Sequence, residues 1–155
     1  MADAAPTSDL PDVGEILVTE AEITRRVAEL GAAITEEHAG RAPLLVCVLK
    51  GAFIFMSDLS RAIDLPVEFD FMAVSSYGSA TRSSGVVRIV KDLDLDLSGR
   101  HVILVEDIID SGLTLSYLRK NLLARNPASL EVVALLAREG SDLAALDVRH
   151  VGFHI

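Results

Sequence analysis

Val102-Ile103-Leu104-Val105-Glu106-Asp107-Ile108-Ile109-Asp110-Ser111-Gly112-Leu113-Thr114 is the stretch whose reading decides how this chain folds. The apolar run Val102 to Val105 reads as a buried strand of a parallel sheet, a setting in which both faces are covered. A buried ionised carboxylate without a partner costs several kcal/mol even after relaxation, so Glu106 and Asp107 are expected to leave the core at once. Asp110 to Thr114 then turns the chain, and Leu115, Leu118 and Leu122 follow at helical spacing. The stretch predicts a strand, an acidic loop and a helix start.

That order of elements has a chemical use. Backbone N–H groups at a turn and in the first turn of a helix are donors without intrahelical partners, and they favour an anion such as phosphate. Gly112 permits a positive φ and a close backbone approach. The carboxylates just upstream are acceptors for sugar hydroxyls, or for Mg²⁺, which prefers oxygen ligands and keeps several waters. One loop is thus equipped to hold a phosphorylated sugar at both ends.

Working outward, Thr19-Glu20-Ala21-Glu22 fits a capping box, and Ile23, Val27, Leu30 and Ile34 recur at helical spacing, so a helix is expected from Glu20 to His38. Leu44 to Leu49 is an unbroken apolar strand, Lys50-Gly51 a tight loop, and Ala52 to Ile63 a helix with Phe53, Met56, Leu59 and Ile63 on one face. Val67 to Ser75 is the next strand. Ser76 to Gly85 is rich in Ser, Gly and Thr and short of core formers, the composition of a mobile and often functional loop. Val86 to Val90 resumes as strand, Lys91 to Gly99 is an acidic connection, and Leu130–Leu136 and Val148–Phe153 supply two more strands. Strands alternating with helices predict an α/β domain with a mainly parallel sheet.

Composition narrows the function classes. The chain has 155 residues and a net charge of −9, which argues against nucleic acid, a partner gripped through Lys and Arg. No apolar run approaches the roughly 20 residues of a membrane span. Residues 1–13 lack the positive and apolar regions of a signal peptide and read as a disordered leader to a domain of residues 14–155, with a cytosolic location expected. The single cysteine, Cys47, sits mid-strand and reads as a small buried hydrophobe.

The motif VILVEDIIDSGLTL resembles the phosphoribosyl-diphosphate motif of the type I phosphoribosyltransferases, and within them the bacterial hypoxanthine-guanine enzymes. The stretches VLKGAFIFMSDLSRAIDLPVEFDFMAVSSYG and SSGVVRIVKDLD, then Ala124-Arg125-Asn126-Pro127 and Val151-Gly152-Phe153, resemble the same family in order, from about Gly14 to Ile155. The resemblance implies the phosphoribosyltransferase fold, a twisted and mainly parallel sheet flanked by helices with a flexible lid loop. It implies purine salvage, with hypoxanthine or guanine and phosphoribosyl diphosphate giving IMP or GMP and pyrophosphate, with Mg²⁺ as cofactor. A homodimer or homotetramer is implied as well.

Roles follow residue by residue. Glu106 and Asp107 match the acidic pair that holds the ribose hydroxyls and the magnesium. Asp110 matches the general acid/base that exchanges a proton with purine N7, a task needing hydrogen-bond reach; by its type it also suits capping of the helix that follows. Ser111, Gly112, Leu113 and Thr114 match the 5′-phosphate loop, Leu113 through its N–H alone. Lys50 and Gly51 match the pyrophosphate loop, which in this family often has a cis peptide, here Leu49–Lys50. Ser76 and Tyr77 match the lid. Arg138 falls where the family usually carries a Lys that donates to purine O6; its longer, forked guanidinium differs from a point donor.

The family continues past Phe153 with an aromatic that stacks on the purine and an Asp near a second magnesium, whereas this sequence ends at Ile155. The phosphoribosyl half of the site therefore reads as whole and the base half as incomplete. Three other readings stay open: an enzyme for another base such as xanthine, a nucleotide-sensing regulator without catalysis, and a fragment that binds phosphoribosyl diphosphate without turnover.

Overall fold

The computed structural model describes residues 14–76 and 87–155. The leader, residues 1–13, and Tyr77 of the expected lid lie outside the described residues. Elements follow in the order α1 (Glu20–Glu37), β1 (Leu44–Leu49), α2 (Phe53–Ala62), β2 (Glu68–Ser76), β3 (Val87–Lys91), β4 (His101–Ile109), α3 (Leu113–Leu123), β5 (Ser129–Ala137) and β6 (Val148–His154). The strands form one six-stranded sheet in the order β3-β2-β1-β4-β5-β6. All neighbours run parallel except β2 and β3, which pair antiparallel.

The unbroken apolar runs of β1 and β4 have a direct cause: both faces of the sheet centre are covered. Alternation along the strand sends Leu44, Val46 and Val48 to one side with Val102, Leu104 and Val132, where Leu115, Leu118 and Leu122 of α3 close over them. Leu45 and Cys47 point the other way with Ile103, Val105 and Val133, beneath Val27, Leu30 and Ile34 of α1 and Phe55, Met56 and Leu59 of α2. Full burial of each such Leu or Ile contributes about 1.5–3 kcal/mol. Cys47 is fully buried, and desolvation with the charges of Glu106 and Asp107 raises its thiol pKa to about 11, as expected of an inert core residue.

Helix α1 begins as its sequence predicts. Glu22 N–H donates to Thr19 Oγ1 (3.2 Å) while Thr19 N–H donates to Glu22 Oε2 (2.7 Å), completing the capping box. Two features were not legible. Gly31 lies where α1 crosses α2, and a Cβ there would collide with the backbone of Ala62, so the two helices touch at a point only glycine fits. Phe53, expected on the buried face of α2, is 49% exposed, and Phe55 is buried instead. The buried stripe of α2 runs through Phe55, Met56 and Leu59, and Phe53 stands about 100° round the helix from Ala52, off that stripe and on the open side.

Polar ties hold the periphery. Arg26 of α1 donates from Nε to Gly152 O (3.0 Å) and from Nη2 to Val151 O (2.8 Å), fixing α1 to β6. Buried Asp70 accepts N–H bonds from Phe71, Asp94 and Leu95 at 2.8–3.0 Å, which pins the acidic connection between β3 and β4. Among the described residues no helix is long and apolar enough to cross a membrane.

Candidate functional site

Strand β4 outlasts its neighbour. Its pairing with β1 ends at Cys47↔Val105, but pairing with β5 continues through Glu106↔Ala134 to Ile109↔Ala137. Glu106 and Asp107 therefore do not leave the core at once, as the sequence led us to expect; they stay in the strand, half-buried, because β5 still satisfies their backbone. Their side chains diverge. Glu106 lines a cleft of about 210 Å³ with Val48, Asp110, Ser111, Gly112 and Thr114. Asp107 lies against Gly51, where any Cβ would strike its carboxylate, and accepts from Ile108 N–H (2.8 Å). Burial, helped by the charge of Asp107, raises the Glu106 carboxyl from 4.5 to about 8.

The far wall of the cleft is the turn into α3. Gly112 is the N-cap, with φ +78 and ψ 1, the left-handed conformation its type permits. Asp110 does not cap the helix, contrary to one of its expected uses, because the helix starts three residues later, at Leu113, and no side chain caps it. The first helical N–H groups therefore face the cleft side of the turn without a capping acceptor, except for a long contact from Leu113 N–H to Ser111 Oγ (3.4 Å). The side chain of Leu113 is 42% exposed, in keeping with a backbone contribution only.

Lys50 and Gly51 form the adjoining loop at the end of β1. The Leu49–Lys50 peptide is cis, as the resemblance implied, and Lys50 is exposed. Ser76 is the last residue of β2. Arg138, just past β5, brings its Nε to 3.2 Å from Asp110 Oδ1, both side chains exposed. The fold thus brings Glu106, Asp110, Ser111, Gly112 and Thr114 into one cleft, sets Asp107 with Gly51 on the opposite face of the sheet edge, and joins Arg138 to Asp110 at the rim.

Three contributors escaped the sequence. Val48 forms the apolar side of the cleft. Leu146 packs so close to Gly112 that a Cβ on the glycine would lie 2.7 Å from its Cδ1. Ser141 donates from Oγ to Asp110 O (2.8 Å). The Gly140-Ser141-Asp142 run signalled a turn but nothing about what the turn reaches. A larger groove of about 590 Å³ separates α1 from α2, lined by Ile23, Val27 and Ala62 with Asp58 and Arg61, which pair with each other. It is remote from the carboxylates and offers no comparable chemistry.

A carboxylate pair and an uncapped helix start at the carboxyl edge of a parallel sheet define a class of phosphate-sugar-binding α/β proteins, and the phosphoribosyl transferase domain family matches residues 14–152. The chain belongs to the phosphoribosyltransferase family. It is 53% identical over 150 residues to the hypoxanthine-guanine phosphoribosyltransferase of Mycobacterium avium, covering 93% of this chain and 74% of that protein. It is 47% identical over 144 residues to the enzyme of the same name from Bacillus subtilis, covering 93% and 80%. A crystal structure of a hypoxanthine phosphoribosyltransferase from Staphylococcus aureus superposes with a TM-score of 0.88 at 40% identity, covering 93% of this chain and 78% of that one.

Proposed function

We propose that this chain is a purine-salvage enzyme that joins hypoxanthine or guanine to the ribose of phosphoribosyl diphosphate, releasing pyrophosphate and forming IMP or GMP. The observation that carries this reading is the cleft itself, where Glu106, the 110–114 loop and an uncapped helix start meet within one small volume. Breaking the anomeric bond develops positive charge on the sugar and negative charge on pyrophosphate. The site must therefore position two substrates, neutralise phosphate charge and handle one proton.

Each task has a residue. The Ser111 and Thr114 hydroxyls and the N–H groups at Gly112 and Leu113 surround the 5′-phosphate. Glu106 and Asp107 take the ribose hydroxyls. Lys50 and the Gly51 backbone receive pyrophosphate, with Ser76 and Tyr77 as the lid that excludes water. Asp110 takes the proton from purine N7 as the N9 bond forms, or returns it in reverse, and Arg138 donates to O6.

The donor set fits Mg²⁺. Glu106 and Asp107 offer carboxylate oxygens at the carboxyl end of β4, one on each face of the strand, so an ion there would take oxygen from one of them and fill its shell with substrate oxygens and water. Either carboxylate would hold it in that way. Bound there, it would offset charge on the diphosphate leaving group.

We also place the enzyme in the cytoplasm, in keeping with its one buried free thiol, and read it as a homodimer or homotetramer. Exposed Phe53, Ile54 and Phe69, at 45–65%, are apolar surface of the kind that association between copies buries. The test is nucleotide formation from phosphoribosyl diphosphate and Mg²⁺ with hypoxanthine, guanine, xanthine, adenine or uracil, read by chromatography. Product from hypoxanthine and guanine is expected. Product from adenine or uracil instead would assign another base class, and no product despite thermal protection by phosphoribosyl diphosphate would leave a binding protein without turnover.

A further inference from the structure

The carbonyl of Asp110 sits at a gap in the fold's hydrogen bonding. One residue earlier, Ile109 O accepts from Arg138 N–H (2.9 Å), the last rung joining β4 to the chain beyond β5. Two residues later, Gly112 O accepts from Ser116 N–H (2.8 Å), the first rung of α3. Asp110 O lies between sheet and helix and belongs to neither. A backbone acceptor without a partner leaves the 110–111 peptide unanchored, so that the turn and the Asp110 Cα from which the carboxylate projects are held less firmly against each other. Ser141 closes this gap: its hydroxyl donates to Asp110 O at 2.8 Å, with Ile109 O at 3.5 Å.

The donor is itself fixed. Gly140, at φ +86, turns the chain back after Arg138. Ser141 N–H donates to Arg138 O (3.3 Å), Leu143 N–H to Ser141 O (3.0 Å), and Ala145 N–H to Asp142 Oδ1 (3.1 Å). At its far end the same loop sets Leu146 against Gly112 and pairs Asp147 with Arg119 of α3 (3.3 Å). The loop between β5 and β6 therefore grips the 109–112 turn, by backbone at Ile109, by side chain at Asp110 and by packing at Gly112, and Ser141 is the grip on Asp110.

We propose that Ser141 is a positioning residue for Asp110, holding its peptide so that the carboxylate meets purine N7 within hydrogen-bond reach. The assignment rests on the acid/base role proposed for Asp110. A misplacement of about 1 Å at a reacting group is enough to slow chemistry by up to roughly 100-fold.

The test is single-turnover nucleotide formation from hypoxanthine with saturating phosphoribosyl diphosphate and Mg²⁺, alongside thermal melting and phosphoribosyl diphosphate affinity. Ser141→Ala is expected to slow the single-turnover rate roughly 5–20-fold, with sugar-phosphate affinity within about twofold of wild type. Ser141→Thr, which keeps the hydroxyl, should recover most of the rate. Asp142→Ala removes a turn bond of the same loop without touching Asp110 and should stay within about twofold of wild type. An unchanged rate in Ser141→Ala, or an equal loss in Asp142→Ala, would overturn the positioning role. Asp110→Asn, run in parallel, separates the two ideas: if it too is unimpaired, the acid/base reading fails; if it alone is slow, only the role of Ser141 does.

Discussion

The two edges of the parallel sheet both carry buried or half-buried polar side chains, and they treat them in opposite ways. At the amino edge the groups are paired: His38 Nε2 lies 2.7 Å from Glu131 Oε1, His101 Nδ1 lies 2.6 Å from Ser129 Oγ, and Asp70 accepts three N–H bonds. Among the described residues, His38 Nδ1 is the one buried polar side-chain atom left there without a partner. Burial, with Arg41 and His38 nearby, holds the His101 imidazole below its ordinary range. At the carboxyl edge the Glu106 carboxyl has no hydrogen-bonding partner among the described residues, and burial together with Asp107 pushes its pKa up. Most polar groups that serve the fold are satisfied within it, whereas Glu106 at the proposed site is buried beside a second carboxylate with no donor to its own.

The contrast breaks most visibly at Asp110. Asp110→Asn should slow nucleotide formation by roughly 10²–10⁴-fold while phosphoribosyl diphosphate still raises the melting temperature. Unchanged turnover would remove Asp110 from the chemistry. At the other edge, Asp70→Ala removes a buried acceptor from three part-buried N–H bonds and should cost about 2–4 kcal/mol in urea unfolding. Its turnover per folded molecule should match wild type; a slowed reaction would mean that the two edges are coupled.

Glu106 makes the contrast a matter of pH. Its folded pKa of about 8 lies above its ordinary 4.5, so between these values the native state binds the proton that the unfolded chain has released. Stability should therefore fall as pH rises from about 5 to 8, by about 1 kcal/mol per unit from this group. Glu106→Gln removes the titration, and its urea midpoint measured across that range should fall less than that of wild type. Parallel curves would show that Glu106 ionises freely.

The smallest effect belongs to Arg138. Its pair with Asp110 is exposed on both sides, so Arg138→Ala should change stability by less than about 0.5 kcal/mol. Steady-state kinetics should instead show KM for hypoxanthine rising about tenfold more than KM for phosphoribosyl diphosphate, the loss of one charged donor. Equal rises would assign Arg138 to the rim of the fold rather than to the base.

Legibility followed the range of the interactions. The capping box at Thr19 and Glu22, the left-handed Gly112 and the buried Cys47 were visible because local geometry or hydrophobicity sets them. Phe53 was misread because helical periodicity admits two neighbouring stripes, and only packing against β1 and β4 selected the one through Phe55, Met56 and Leu59. Gly31 gave no sign of its purpose, since the backbone it spares, that of Ala62, is 31 residues away. The resemblance of whole motifs identified the residues of the proposed site, yet no motif indicated that Ser141 would reach Asp110.

From sequence alone came the alternation of strands and helices, the two-sided burial of the central strands, the anion-ready turn at 110–114 and the chemical type of each site residue. These are properties of neighbours along the chain, set by side-chain polarity, periodicity and backbone freedom. Only the tertiary structure decided that β4 runs on past β1 and keeps Glu106 and Asp107 in the sheet. It alone divided the two carboxylates between opposite faces and brought the loop after β5 onto the Asp110 turn. Those outcomes depend on which strand pairs with which, and for how long, because a backbone that finds partners across the sheet can hold carboxylates where their own hydration would otherwise draw them out.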